Sequence, residues 1–246
     1  MALCELRYYS KALGKQTGAQ VILPESGEGP YPVLYLLHGL SDDYTAWGRR
    51  SSIERHLDGL PLIVVMPDGG RSFYLDAVHG PAYGTALAIE LPERIERTFP
   101  ARTDRDGRFV AGLSMGGFGA MRFALGYPER FGAASSHSGA VGFGHFIERW
   151  RDDPRLEEFR LILGDDPVGG PNDLFTLAEQ CAHASDIPRL RLDCGAEDFL
   201  LEDNRAFHDH LTALGITHTY DEYPGAHEWG YWDLHIQDTL RFLMPS

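Results

Sequence analysis

Five short apolar runs, at 33–37, 62–66, 108–111, 131–135 and 190–193, recur along the chain with helix-like stretches between most of them. Runs of this length without polar alternation are buried on both faces, which is the pattern of strands in a parallel sheet covered on two sides. The intervening stretches at 51–57, 85–98, 115–125 and 200–214 carry helical spacing. Residues 217–223 add a last strand and 229–243 a closing helix, so the expected fold class is α/β with a mostly parallel central sheet flanked by helices.

Two segments depart from that rhythm. Residues 4–23 alternate polar and apolar side chains around Gly14-Lys15-Gln16-Thr17-Gly18, which predicts an antiparallel hairpin at one edge of the sheet. Residues 138–184 are punctuated by Gly and Pro, with short helical pieces at 146–151 and 172–183, and are expected to form a cap-like insertion above the sheet. No internal repeat or low-complexity linker interrupts the chain, so 1–246 is expected to be one domain.

Composition narrows the partners. The chain's 22 Lys and Arg stand against 36 Asp and Glu, a net charge of −14 that opposes binding to nucleic acid or anionic membranes. Cys4, Cys181 and Cys194 form no C-x-x-C pair, a usage suited to a reducing compartment. Residues 1–10 lack a basic segment followed by an apolar one, and no run of about 18 apolar residues occurs, so a cytoplasmic protein without a membrane span is expected.

The strongest chemical signal is Arg108-Phe109-Val110-Ala111-Gly112-Leu113-Ser114-Met115-Gly116-Gly117, an apolar strand running into G-x-S-x-G and then into a helix of small residues. A serine on such a turn is held in a strained backbone conformation with its hydroxyl over the carboxyl end of the sheet. The following helix places the Met115 N–H and the positive end of its dipole where an oxyanion would develop.

A serine hydroxyl needs a base, and the base needs a carboxylate. Among the 11 histidines, His227 lies in the loop between the last strand and the last helix, where this architecture brings the base to the serine. His208, His210, His218 and His235 fall on helices or at a strand start. Asp198 lies just beyond the strand at 190–193 and gives the chain order Ser, Asp, His. Asp193, Glu197 and Asp203 are weaker competitors, Asp193 because it is still on the strand.

The loop after the first buried strand, Leu36-Leu37-His38-Gly39-Leu40-Ser41, supplies a second oxyanion donor in the Leu40 N–H. His38 reads as a hydrogen-bonding residue that shapes this turn. Tyr44, Trp47 and Trp229 flank the loops and are candidates for lining a substrate pocket. No metal-ligand spacing and no dinucleotide fingerprint is present, so neither metal nor cofactor is expected.

Four stretches carry a family resemblance: Tyr35-Leu-Leu-His-Gly-Leu-Ser-Asp-Asp-Tyr-Thr-Ala-Trp47, Ala111-Gly-Leu-Ser-Met-Gly-Gly-Phe-Gly-Ala-Met121, Cys194-Gly-Ala-Glu-Asp-Phe-Leu-Leu-Glu-Asp-Asn204 and Gly225-Ala-His-Glu-Trp-Gly-Tyr-Trp-Asp233. With them the chain resembles the tributyrin-esterase and esterase D branch of the α/β-hydrolases, related to S-formylglutathione hydrolases, feruloyl esterases and mycolyltransferases. The resemblance implies Ser114, Asp198 and His227 as nucleophile, acid and base, with Leu40 and Met115 forming the oxyanion hole. It implies cofactor-free hydrolysis of short acyl esters, acetyl to butyryl, through an acyl-enzyme, with a small-molecule ester as partner and members that are often oligomeric. Thioester hydrolysis, a carbohydrate or feruloyl ester as substrate, acyl transfer to an alcohol, and a non-catalytic binding relative stay open as alternatives.

Overall fold

The computed structural model describes residues 1–244. Its strands are β1 (Ala2–Ser10), β2 (Lys15–Leu23), β3 (Val33–Leu37), β4 (Ile63–Pro67), β5 (Arg108–Leu113), β6 (Ala133–His137), β7 (Arg189–Gly195) and β8 (His218–Tyr223). They form one eight-stranded sheet in the order β1-β2-β4-β3-β5-β6-β7-β8. Only β1 with β2 and β2 with β4 are antiparallel; the pairings from β4 through β3 to β8 are parallel.

The two-sided burial read from the apolar runs is visible within β3. Val33, Tyr35 and Leu37 enter a core cluster on one face, with Phe118, Phe131 and Phe207. Leu34 and Leu36 enter the cluster on the other face, with Trp47, Ile236 and Leu240. Successive side chains of a strand point to opposite faces, so a strand between two helical layers buries every side chain it carries.

The helices are α1 (Ala46–Arg50), α2 (Ile53–His56), α3 (Tyr83–Thr85), α4 (Leu91–Thr98), α5 (Met115–Gly126), α6 (Leu156–Leu163), α7 (Leu174–Cys181), α8 (Leu201–Ala213) and α9 (Trp229–Leu243). The helix expected at 85–98 runs without a gap through α3 and α4, with a π-helical segment, Ala86–Glu90, between them just before Pro92, which has no N–H to donate.

Three further details differ from the sequence reading. The hairpin turns at 11–14, not 14–18, because Ser10 pairs directly with Lys15 and Gly14, at φ 63°, takes the left-handed position. The strand expected at 131–135 is shifted to Ala133–His137; its polar end stays in the sheet because Ser135, Ser136 and His137 are all buried and paired along β5 and β7. Between β6 and β7, α6 forms a helix that the sequence reading did not single out, and its Leu161 and Ile162 carbonyls accept from the N–H groups of His79 and Val78. Among the described residues, no helix is long and apolar enough to cross a membrane.

Candidate active site

Ser114 stands between β5 and α5 at φ 53° and ψ −117°, a conformation that L-residues avoid. The neighbouring glycines are a steric requirement of that turn. A Cβ on Gly112 would come within 2.5 Å of the Gly116 carbonyl, and one on Gly116 within 2.5 Å of the Leu37 carbonyl oxygen. The Ser114 N–H donates to the His137 carbonyl (2.9 Å), and the Ser114 carbonyl accepts from Ala140 N–H (3.0 Å), which fixes the turn from the β6 side.

The structure brings the three predicted polar residues into one hydrogen-bonded chain. His227 Nε2 lies 3.0 Å from Ser114 Oγ, and His227 Nδ1 lies 2.8 Å from Asp198 Oδ2. Asp198 is held in turn by the Leu200 N–H, which donates to its Oδ1 (2.8 Å). Its carboxylate is wholly buried, whereas the imidazole is 19% exposed and faces the cleft. Proton abstraction from a hydroxyl needs this geometry: an acceptor nitrogen on the hydroxyl, and a carboxylate holding the other nitrogen as the donor.

Of the competitors for the acid position, Asp193 is engaged by His137, Arg191 and Tyr231. Glu197 instead ties the loops together: Gly225 N–H donates to its Oε2 (2.6 Å) and its own N–H donates to the Gly225 carbonyl (3.0 Å). Asp203 pairs with Arg149, and burial raises its pKa.

Opposite Ser114, the loop after β3 is locked from both sides. His38 Nδ1 donates to the Gly39 carbonyl (2.8 Å), and His38 Nε2 accepts from Gly69 N–H (2.9 Å). Tyr74 OH donates to the His38 carbonyl (2.9 Å). The Gly39 carbonyl and the Leu40 N–H belong to one planar trans peptide and point in opposite directions. Holding the carbonyl on the imidazole therefore aims the Leu40 N–H the other way. His38 does this as a neutral imidazole, since one ring nitrogen donates and the other accepts, and burial lowers its pKa.

A cleft of about 500 Å³ opens over Ser114, with Leu40, Met115, His227 and Trp229 in its wall. The insertion between β6 and β7 contributes Trp150, Arg155 and Phe159 to the same wall. Tyr44 and Trp47, expected beside Trp229 in the pocket, do not line it. Tyr44 reaches away to β1, where its OH donates to Glu5 and accepts from Arg7 (2.8 Å each). Trp47 lies beneath Trp229, edge to face at 5.2 Å, with its Nε1 donating to the Leu37 carbonyl.

The cleft also holds a residue that the sequence reading missed. Phe73 lines it from a backbone at φ 52°, and Tyr74 follows at φ 59°. Two successive left-handed residues that are not glycine have no composition signal. The turn they make puts Phe73 against Phe143, stacked at 3.5 Å, and sends the Tyr74 hydroxyl under the His38 loop.

Residues 10–243 match the protein family described as "Putative esterase". The chain belongs to this esterase family. It is 30% identical to the acetyl esterase of Caldicellulosiruptor saccharolyticus over 99% of this chain and 98% of that protein. Among solved structures it is similar to the fluorophosphonate-binding serine hydrolase F of Staphylococcus aureus, at 31% identity and a TM-score of 0.89 over 98% of each chain. It is also similar to the S-formylglutathione hydrolase of the same organism, at 31% identity and a TM-score of 0.86, again over 98% of each chain. The fold is that of the α/β-hydrolases, and this esterase is a carboxylic ester hydrolase of the serine type.

Proposed function

We propose that this esterase hydrolyses short-chain esters, acetyl to butyryl, through an acyl-enzyme on Ser114. The observation that carries the reading is the unbroken chain from Ser114 Oγ through His227 to the buried Asp198, built on a serine with strained backbone at a helix N-terminus.

In the first half-reaction Ser114 Oγ attacks the carbonyl carbon of the ester while His227 Nε2 takes the hydroxyl proton. The carbonyl oxygen becomes an oxyanion facing the N–H groups of Leu40 and Met115. When the tetrahedral intermediate collapses, the bond to the alcohol breaks and His227 returns the proton to the leaving oxygen. Water then enters, gives its proton to His227 and attacks the acyl carbon, and the acid departs as Ser114 recovers its proton. Asp198 holds the imidazole with Nδ1 as donor and offsets the charge it gains. His38 contributes through the Gly39–Leu40 peptide, whose N–H it aims.

Residues 138–184 serve as a cap over a single domain, because their Trp150, Arg155 and Phe159 close one side of the cleft. The three cysteines, all free thiols, support a reducing, cytoplasmic setting. Cys194 is buried, and burial raises its thiol pKa, which argues against its being a nucleophile.

The test is a turnover series on p-nitrophenyl acetate, butyrate, octanoate and dodecanoate, with the Ser114→Ala protein as control. Highest turnover at acetate or butyrate, lost in the variant, is expected; an octanoate optimum, or undiminished turnover by the variant, would refute the proposal. Likeness to the staphylococcal S-formylglutathione hydrolase favours a second reading, thioester cleavage at the same serine. S-formylglutathione turned over faster than every oxygen ester would establish that reading instead.

A further inference from the structure

Behind the site lies a cluster of ionisable groups that the mechanism above does not use. Asp193, near the carboxyl end of β7, is wholly buried. Its carboxylate takes Arg191 Nη1 at 2.5 Å, His137 Nδ1 at 3.0 Å and the Tyr231 hydroxyl at 3.1 Å. His137 is fixed at its other ring nitrogen by Thr239 Oγ1, 2.9 Å away, which also meets Ser135 Oγ at 2.6 Å. A buried carboxylate is costly and is retained only where its partners satisfy it. Arg191 and His137 do that, both from the sheet. Tyr231 is the partner that comes from outside it.

Tyr231 sits in the first turn of α9, four residues after His227. Its ring covers Gly225: a Cβ there would come within 2.7 Å of Tyr231 Cδ2, and Gly225 itself has φ 138°. The backbone that carries the imidazole is thus pressed between the Tyr231 ring and the end of β7, where a Cβ on Gly195 would come within 2.1 Å of the Gly225 carbonyl. The next residue, Trp232, meets the His227 ring edge-on at 4.9 Å. The same Asp193 receives Ser138 N–H on its backbone carbonyl (2.8 Å), one residue beyond the His137 carbonyl that holds Ser114.

We infer that the Asp193–Tyr231 hydrogen bond is a positioning device for the base: it ties the first turn of α9, and through it the His227 loop, to the strand that leads to Asp198. Asp193 and Tyr231 touch no reacting atom. They act by keeping His227 Nε2 in line with Ser114 Oγ, where a displacement of about 1 Å costs on the order of a hundredfold in rate. This rests on the assignment of Ser114 and His227 made above.

The experiment compares Tyr231→Phe, which keeps the ring over Gly225 and removes only the hydroxyl, with Thr239→Val, which breaks the buried chain at its far end. Both are measured for kcat, KM and Tm on p-nitrophenyl butyrate, and for the rate of covalent inactivation by a fluorophosphonate. Tyr231→Phe is expected to lower kcat and the inactivation rate about tenfold with KM within about twofold, at a loss of Tm similar to that of Thr239→Val, which keeps its kcat. Wild-type kcat in Tyr231→Phe, or equal kcat losses in the two variants, would overturn the inference and leave the cluster a purely structural one. Turnover retained in Ser114→Ala would overturn the site assignment itself, and the inference with it.

Discussion

At the scale of single residues, much rests on groups that never meet the substrate. His38 is the plainest case. Its imidazole fixes the Gly39 carbonyl and accepts from Gly69, so replacing it should turn the Leu40 N–H away from the developing oxyanion. His38→Gln is expected to lower kcat by about one to two orders of magnitude, toward the loss of an oxyanion donor, with little change in KM. Steady-state kinetics on the acetyl and butyryl esters check this. A stability effect accompanies it. The folded-state pKa of His38 is lowered by burial, so below the ordinary histidine value of about 6.5 the unfolded chain binds a proton that the folded chain refuses. Stability from this group is therefore present above that pH and lost as the pH falls toward the folded value. Denaturation midpoints between pH 7 and pH 5, values on the order of one unit either side of that pKa, should fall more steeply in the wild type than in His38→Gln.

At the scale of elements, the turn from β5 to α5 was legible from sequence because its constraints are steric and local. Gly112 and Gly116 stand where any Cβ would strike backbone, and that need fixes their spacing about Ser114. Gly116→Ala should push α5 away from β3, since the added carbon would meet the Leu37 and His38 carbonyls, which cannot rotate aside. A stability loss of about 1–3 kcal/mol, read from the denaturant midpoint, is expected, together with lost activity. The loops bearing Asp198 and His227 were legible from their place in the chain order: Asp198 follows the buried β7, and His227 lies between the last strand, β8, which is only partly buried, and the last helix. Tyr44 and Trp47 were misread because proximity in sequence to the Leu40 loop says nothing of which face a side chain takes. Trp47 turned into the core beneath Trp229, and Tyr44 toward β1. Phe73 was missed because its backbone conformation is imposed by the packing around it, with Phe143 stacked on the ring and Tyr74 anchored under the His38 loop.

At the scale of the whole molecule, the sheet is assembled so that β5, β6 and β7 lie side by side and bring Ser114, its backbone anchor and Asp198 to one end. The insertion between β6 and β7 then adds Trp150, Arg155 and Phe159 to one side of the cleft. Its α6 does carry helix signals, with Glu157 and Glu158 in the first turn, Phe159, Ile162 and Leu163 on one face and Gly164 closing it at φ 84°, but the Gly and Pro around so short a helix obscured them; contact with the 78–79 loop and the aromatic cluster around Phe159 holds it in place. Phe159 is buried yet forms part of the cleft wall. Phe159→Leu should enlarge the cleft and raise octanoate turnover relative to butyrate, and the same chain-length series reads that ratio. An unchanged ratio would mean that the cap does not set acyl length.

The acyl group that Ser114 is proposed to carry is open to direct observation. The protein is mixed with p-nitrophenyl acetate, quenched in acid within the first turnover, digested and analysed by mass spectrometry. One acetyl group is expected, on the peptide containing Ser114 and on its side-chain oxygen, absent from the Ser114→Ala protein. Acetyl on another residue, in a protein that still turns the ester over, would contradict it.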